Sequence, residues 1–305
     1  MEAVETVWVT GASGMLGKTL LKILKGHGAL GISRRPAPGG VFCDLADPFQ
    51  VKRLFKSARP SLVVNCAAYS DVDGCEQDPK TAHECNTLTV KHLAEACTEA
   101  RVPWIHVSTD YVFDGKKRSP YEEEDATGPV NIYGLTKLGG EFYAHSSGAS
   151  CAIVRTSWLF GAENPANFVN AMLARLKKEK QVSVLDDQID CPTHVKDLGE
   201  ALLKIGAHLV ASAAKYPSRA WHDTFHVCNS GDATRFEMTQ RMNEWLKLGV
   251  SVERVDRSQV QGRVAVRPAY VAMSTAHFEK TFAMKMRPWH ESLKEYVSEA
   301  ARCVS

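Results

Sequence analysis

Thr6-Val7-Trp8-Val9-Thr10, Gly11-Ala12-Ser13-Gly14-Met15-Leu16-Gly17 and Lys18-Thr19-Leu20-Leu21-Lys22-Ile23-Leu24-Lys25 run on from one another near the start of the chain. The first segment is β-branched and alternates, as a strand does. The last carries apolar residues at helical spacing. A strand that enters a helix through three glycines is the phosphate-binding opening of a βαβ unit. Gly11 permits the tight turn, Gly14 lets a pyrophosphate approach the backbone, and Gly17 lets helix and strand pack closely. The first helical N–H groups have no partner within the helix and face the negative charge. Gly11, Ser13, Gly14, Met15 and Leu16 are therefore candidate cofactor contacts, on a GxxGxxG spacing rather than GxGxxG.

Working outward, Ala29 to Ser33 reads as a second strand that ends in Arg34-Arg35-Pro36. In a dinucleotide fold this end meets the adenosine ribose. A carboxylate there suits the 2′-hydroxyl of NAD, whereas arginine suits the 2′-phosphate of NADP. Arg34 and Arg35 favour NADPH, with NADH as a weaker substitute. Val41-Phe42-Cys43 is a short third strand ending in Asp44-Leu45, and Ser61 to Cys66 is a buried fourth ending in Ala67-Ala68-Tyr69. Open α/β sheets bind ligands at these carboxyl ends, so Asp44, Leu45, Ala67, Ala68 and Tyr69 join the cofactor candidates. One long helix is expected from about residue 79 to 101, then a fifth strand, Trp104 to Thr109, and a sixth, Cys151 to Thr156. The alternation predicts an α/β fold with a doubly wound parallel sheet. Beyond residue 160 it becomes less regular, with helices near 165–180, 194–209, 234–247 and 287–302 and short strands at 182–185 and 224–228. The expected division is a cofactor-binding domain over 1–160 and a smaller α/β substrate domain over 161–305, with segments near 190–230 returning to the first sheet.

Composition sets few limits. The chain has 305 residues, 44% hydrophobic and 24% charged, with a net charge of +2. That charge gives no electrostatic reason to expect nucleic acid or membrane partners. No apolar run approaches a membrane span, and the first strand begins too early for a signal peptide. Nine cysteines without a CxxC read as reduced thiols, which fits a cytoplasmic protein. His222, Asp223, His226 and Cys228 lie close in sequence but lack a second cluster to complete a shell, so no metal is expected.

Tyr133 and Lys137 form a Tyr-x-x-x-Lys pair. On a helix, i and i+4 share a face, so the ammonium is expected beneath the phenol, lowering its pKa toward neutrality. The pair follows a strand ending in Ser108-Thr109, whose hydroxyls would stand beside it. This order of strand, hydroxyl and Tyr-x-x-x-Lys gives an otherwise weak motif its meaning.

Together the glycine turn, Thr109 and Tyr-x-x-x-Lys resemble the Rossmann-type extended short-chain dehydrogenase/reductases. Within them, four stretches resemble the dTDP-4-dehydrorhamnose reductase family: Ser108-Thr109-Asp110-Tyr111-Val112-Phe113-Asp114-Gly115, Asn131 to Leu138, Arg155-Thr156-Ser157-Trp158, and Asp187 to Thr193. The resemblance runs over nearly the whole chain. It implies hydride transfer from NADPH to the C4 ketone of a dTDP-linked 6-deoxy-4-keto sugar, giving dTDP-L-rhamnose from dTDP-4-dehydro-L-rhamnose. Tyr133 would donate the proton, Lys137 would hold the nicotinamide ribose, and Thr109 would bond the ketone oxygen. Ser70, Val72, Tyr111, Trp158 and Asn167 would line the sugar-nucleotide pocket, and Arg267 would meet the diphosphate.

Two alternative functions share this scaffold: a non-catalytic NADP-binding regulatory subunit resembling the β subunit of methionine adenosyltransferase, and another sugar-nucleotide reductase, epimerase or dehydratase. Some bacterial relatives dimerise through magnesium held by carboxylates of the first helix and of the segment after Pro-Thr. The corresponding residues here are Thr19 and Lys196. A monomer or weak homodimer, without a magnesium bridge, is the expectation.

Overall fold

The computed structural model describes residues 6–255 and 262–302. Its organising element is a seven-stranded sheet in the order β10-β6-β5-β4-β1-β2-β3. The strands are β1 (Val7–Thr10), β2 (Ala29–Ser33), β3 (Val41–Phe42), β4 (Leu62–Asn65), β5 (Trp104–Thr109), β6 (Cys151–Thr156) and β10 (His222–His226), every pair parallel. The order reverses between β1 and β4, which opens the ligand crevice of a doubly wound sheet.

A sheet buried on both faces needs apolar residues on both sides of each strand. On β1, Val7 and Val9 face one core with Leu16 and Leu20 of α1 (Met15–Ile23), and with Leu198, Leu202 and Ile205 of α8 (Val195–Lys215). Trp8 turns to the other core, with Val90, Leu93 and Cys97 of α5 (Thr89–Ala100). Residues after 190 thus supply both a sheet edge, β10, and the helix α8 on its face. A third core gathers α7 (Phe168–Leu176), β8 (Gln181–Leu185), α9 (Arg235–Leu246), β11 (Ser251–Val255) and α11 (Trp289–Arg302). A smaller one, including Tyr111, Phe113, Tyr121 and Cys228, packs beneath the site. Two short pieces, β7 (Leu159–Phe160) and β9 (Thr193–His194), join these parts.

The single helix expected over 79–101 is instead interrupted. α4 (Pro79–His83) passes through a π turn, Glu84–Leu88, before α5 begins. An extra residue in a helix turns a side chain out of register, commonly at functional sites. Here that side chain is Asn86: it accepts from Tyr69 N at 2.8 Å and donates to Tyr69 O at 3.1 Å, pinning the segment after β4. The helices α2 (Pro48–Ser57), α3 (Val72–Gln77) and α10 (Ala276–Phe282) complete the described elements with α6 (Ile132–His145). Of these, α3 and α10, like β11, carry no clear periodic signal. The four residues weighed as a metal set are dispersed in their bonding. Asp223 faces His277 at 3.1 Å, while His226 Nδ1 lies 3.1 Å from Tyr121 O.

Candidate active site

Gly11 adopts φ +63°, and a Cβ placed there would lie 2.6 Å from the backbone of Cys66. A Cβ on Gly17 would stand 2.4 Å from Gly11 O. Strand, turn and helix are therefore packed backbone to backbone, as the sequence predicts. Gly14 is the N-cap of α1, and no side chain caps that helix. Its first N–H groups are left for a ligand, a cradle that fits a dinucleotide pyrophosphate. Beside it, Arg34 and Arg35 are exposed at the end of β2, and Asp44 accepts from Ala46 N after β3. Leu45 is buried, and its carbonyl meets His92 at 3.0 Å. Ala67 and Ala68 stand at the β4 end of the crevice, next to the Tyr69 backbone held by Asn86.

The three catalytic candidates converge at the carboxyl end of β5. Asn131 caps α6 through Gly134 N at 2.8 Å, which sets Tyr133 and Lys137 on the face turned to β5. Thr109 is buried, and the Tyr133 hydroxyl lies within hydrogen-bonding reach of it. The Lys137 ammonium, also buried, donates to Val107 O at 2.6 Å. This corrects the expected electrostatics: the ammonium is engaged by a β5 carbonyl, and the phenol is not lowered. Burial pushes the Tyr133 phenol above its ordinary value, with the Thr109 hydrogen bond pulling partly back. Burial also lowers Lys137 to about 8, with Glu141 opposing. The phenol is thus loaded with its proton at neutral pH, the state a general acid needs.

Around this centre, the Tyr111 ring meets Tyr133 edge-on at 5.8 Å, and its hydroxyl accepts from Gln188 Nε2 at 3.1 Å. Val72, the first residue of α3, packs into the same cluster, and Ser70 is exposed just before it. Trp158 has φ +38°, a conformation uncommon for a bulky residue and one that collects at ligand sites. The Arg235 guanidinium covers its ring at 5.0 Å. Two pocket candidates have other partners. Asn167 caps α7 through Asn170 N, and its amide donates to Gly161 O at 2.8 Å and Asn164 O at 2.6 Å. Arg267 pairs with Asp73 of α3 at 2.7 Å and 3.2 Å. Asp73 also accepts from the backbone of Val264 and Ala265, so this ion pair fastens the segment at 264–267 over α3.

Sequence reasoning passed over Asn86, Asp110, Glu141, Asp190 and Arg235. Asp110 and Asp190 sat inside recognised stretches but had no assigned chemistry, and only tertiary packing brings them together. Asn86 could have been singled out as a polar residue in an otherwise amphipathic helix.

Comparison with known proteins agrees with this fold. Residues 5–302 match the RmlD substrate binding domain family. A dTDP-4-dehydrorhamnose reductase of Mycolicibacterium smegmatis is 34% identical over 96% of this chain and 85% of its own length. Another of that name, from Streptomyces griseus, is 36% identical over 94% of this chain and 91% of its own. Among solved structures, the Bacillus anthracis dTDP-4-dehydrorhamnose reductase in complex with NADP superposes with a TM-score of 0.87, at 30% identity, covering 97% of this chain and 99% of that one. The chain belongs to the RmlD family of the extended short-chain dehydrogenase/reductases, alongside the dTDP-4-dehydrorhamnose reductases.

Proposed function

We propose that this protein reduces the C4 ketone of a dTDP-linked 6-deoxy-4-keto sugar with NADPH, the substrate being dTDP-4-dehydro-L-rhamnose and the product dTDP-L-rhamnose. The observation that carries the reading is the meeting of Thr109, Tyr133 and Lys137 beside an uncapped, glycine-lined helix start. NADPH, when bound, supplies the hydride. The protein's part is placement and charge. Tyr133 gives its proton to the oxygen on which negative charge develops, Thr109 bonds the same oxygen, and Lys137 orients the nicotinamide ribose. Donors aimed at a developing oxyanion are where an enzyme gains most. Residues 1–160 carry the cofactor in this reading, and 161–305 mainly recognise the sugar nucleotide, with Tyr111 and Trp158 reaching the pocket from the first part. A cytoplasmic enzyme fits this chemistry. No described helix is long and apolar enough to cross a membrane.

The direct test is turnover of enzymatically made dTDP-4-dehydro-L-rhamnose, followed by NADPH absorbance and product identification. Tight NADPH binding with no turnover of that sugar would favour a regulatory role.

NADPH is expected to be preferred over NADH by roughly 10- to 100-fold. One charge-assisted bond to the 2′-phosphate is worth about 1.5–3 kcal/mol, at about 1.4 kcal/mol per tenfold. Arg34→Ala and Arg35→Ala, measured singly by binding titration, should weaken NADPH more than NADH. Equal losses would reduce both arginines to surface charge.

Magnesium should not change the mass measured by light scattering, with or without chelator. Thr19 is buried and donates to Met15 O at 3.0 Å, and Lys196 is an exposed cation that repels the metal. The neighbouring carboxylate, Asp197, is already bonded to Arg287, Asn229 and Ser292.

A further inference from the structure

Thr109 has one hydroxyl proton, and in this structure it is not aimed at a substrate. It is donated to Asp110 Oδ1 at 2.8 Å. An ionised Asp110 would keep it, because a charge-assisted bond is about twice as strong as a neutral one. The other oxygen of Asp110, Oδ2, is buried and has no donor, and the same is true of Asp190 Oδ2. Both residues are almost wholly inaccessible, at 3% and 0% exposure, and the two carboxyls are near enough for each to shift the other's protonation. Two ionised carboxylates brought together in a buried site repel, and a proton held between them removes that cost.

We propose that Asp110 and Asp190 hold one proton between their Oδ2 atoms, and that a neutral Asp110 releases the Thr109 hydroxyl to the substrate ketone. The inference rests on the ketoreductase reading above, and makes Asp110 and Asp190 positioning residues for Thr109.

The surroundings favour charge on Asp190 and the proton on Asp110. Burial raises Asp190 to about 6, still below neutrality, while Cys191 N, donating to its Oδ1 at 2.8 Å, and the Arg235 guanidinium favour its ionised form. Asp110 is held protonated by burial first and by the Asp190 charge second. The other titratable groups facing the pair are Tyr111, Tyr133 and the thiols of Cys191 and Cys228. Burial raises both phenols, and the Cys191 hydrogen bond, followed by burial, raises the Cys228 thiol. With a neutral Asp110, Oδ1 is a carbonyl-like acceptor that yields the Thr109 proton when a ketone oxygen arrives.

The test exploits an asymmetry between two near-isosteric variants. Asp110→Asn copies the neutral acid, with a carbonyl oxygen toward Thr109 and an N–H toward Asp190. Asp190→Asn instead gives Asp110 a donor and stabilises it as a carboxylate. Asp110→Asn should therefore lower kcat clearly less than Asp190→Asn, which should lower it by about 10- to 100-fold, with the KM for the sugar nucleotide and NADPH affinity little changed. Infrared spectra at neutral pH should show the carbonyl stretch of a protonated carboxyl in wild type, lost in Asp110→Asn. The opposite order of kcat, equal damage in both variants, or no effect in either overturns the proposal, as does a wild-type spectrum without that band. If either variant fails to fold, the wild-type spectrum decides. It also decides if the protein does not turn over the sugar, which would defeat the functional reading and leave the shared proton standing or falling on its own evidence.

Discussion

Tyr133→Phe is expected to lower kcat by about 10²–10⁴-fold, the usual worth of general acid catalysis, with the NADPH dissociation constant little changed. The substitution removes one oxygen and keeps the ring that packs edge-on against Tyr111 at 5.8 Å, so the fold has no reason to yield. The loss belongs in kcat because the proton is needed only as charge develops on the substrate oxygen. Lys137→Met should differ by harming cofactor affinity as well, since in the proposed reading its ammonium orients the nicotinamide ribose. The pH dependence follows from the same geometry. Burial brings Lys137 down to about 8, so its charge is present below that pH and lost above it. The free enzyme's kcat/KM should then fall on the alkaline side from about pH 8, and Lys137→Arg, which stays charged, should remove that limb. A Tyr133→Phe enzyme with near-normal turnover would remove Tyr133 as the acid.

How much of this was legible in the sequence depends on how local the determining forces are. The turn at Gly11 to Gly17 was readable because tight packing there tolerates only glycine, and Gly17 proves it with a contact of 2.4 Å for any Cβ. Strands β2, β5 and β6 were readable to the residue because buried parallel strands are continuous apolar runs between clear breakers. The interruption at Glu84–Leu88 was not, because a π turn is stabilised by what it holds, here the Tyr69 backbone, and not by local propensity. Spacing put Tyr133 and Lys137 on one face but could not say that Val107 O would take the ammonium, so the sign of the phenol's shift came out reversed. Arg267 and Asp73 are 194 residues apart. No window along the chain can pair them, and the same holds for Asp110 with Asp190.

Glu141→Gln should cost about 3–5 kcal/mol of stability, the range for breaking a buried ion pair from one side. Glu141 lies one turn beyond Lys137 on α6 and is 2% exposed. Its carboxylate accepts from Ser108 Oγ at 2.6 Å, Arg155 Nε at 3.0 Å and Arg155 Nη2 at 2.8 Å. Those partners come from β5 and β6, so one side chain fastens α6, and with it Tyr133, to the strand that carries Thr109. With glutamine the Arg155 charge stays buried, stacked on the Phe113 ring at 5.2 Å, without a counter-charge. Uncompensated burial of that kind costs more than the pair itself contributes. Glu141→Met combined with Arg155→Met removes both charges and should recover much of the loss, since apolar groups of similar volume often replace a buried pair at little cost. Denaturant unfolding of Glu141→Met, Arg155→Met and the double gives the coupling directly. Kinetics adds a second reading: Glu141 is the main group holding the Lys137 ammonium charged against burial. Its removal should therefore move the alkaline limb of kcat/KM below pH 8 in any variant that still folds. An unshifted limb, or a double variant no more stable than Glu141→Gln, would mean that Glu141 acts only as packing between α6 and the sheet.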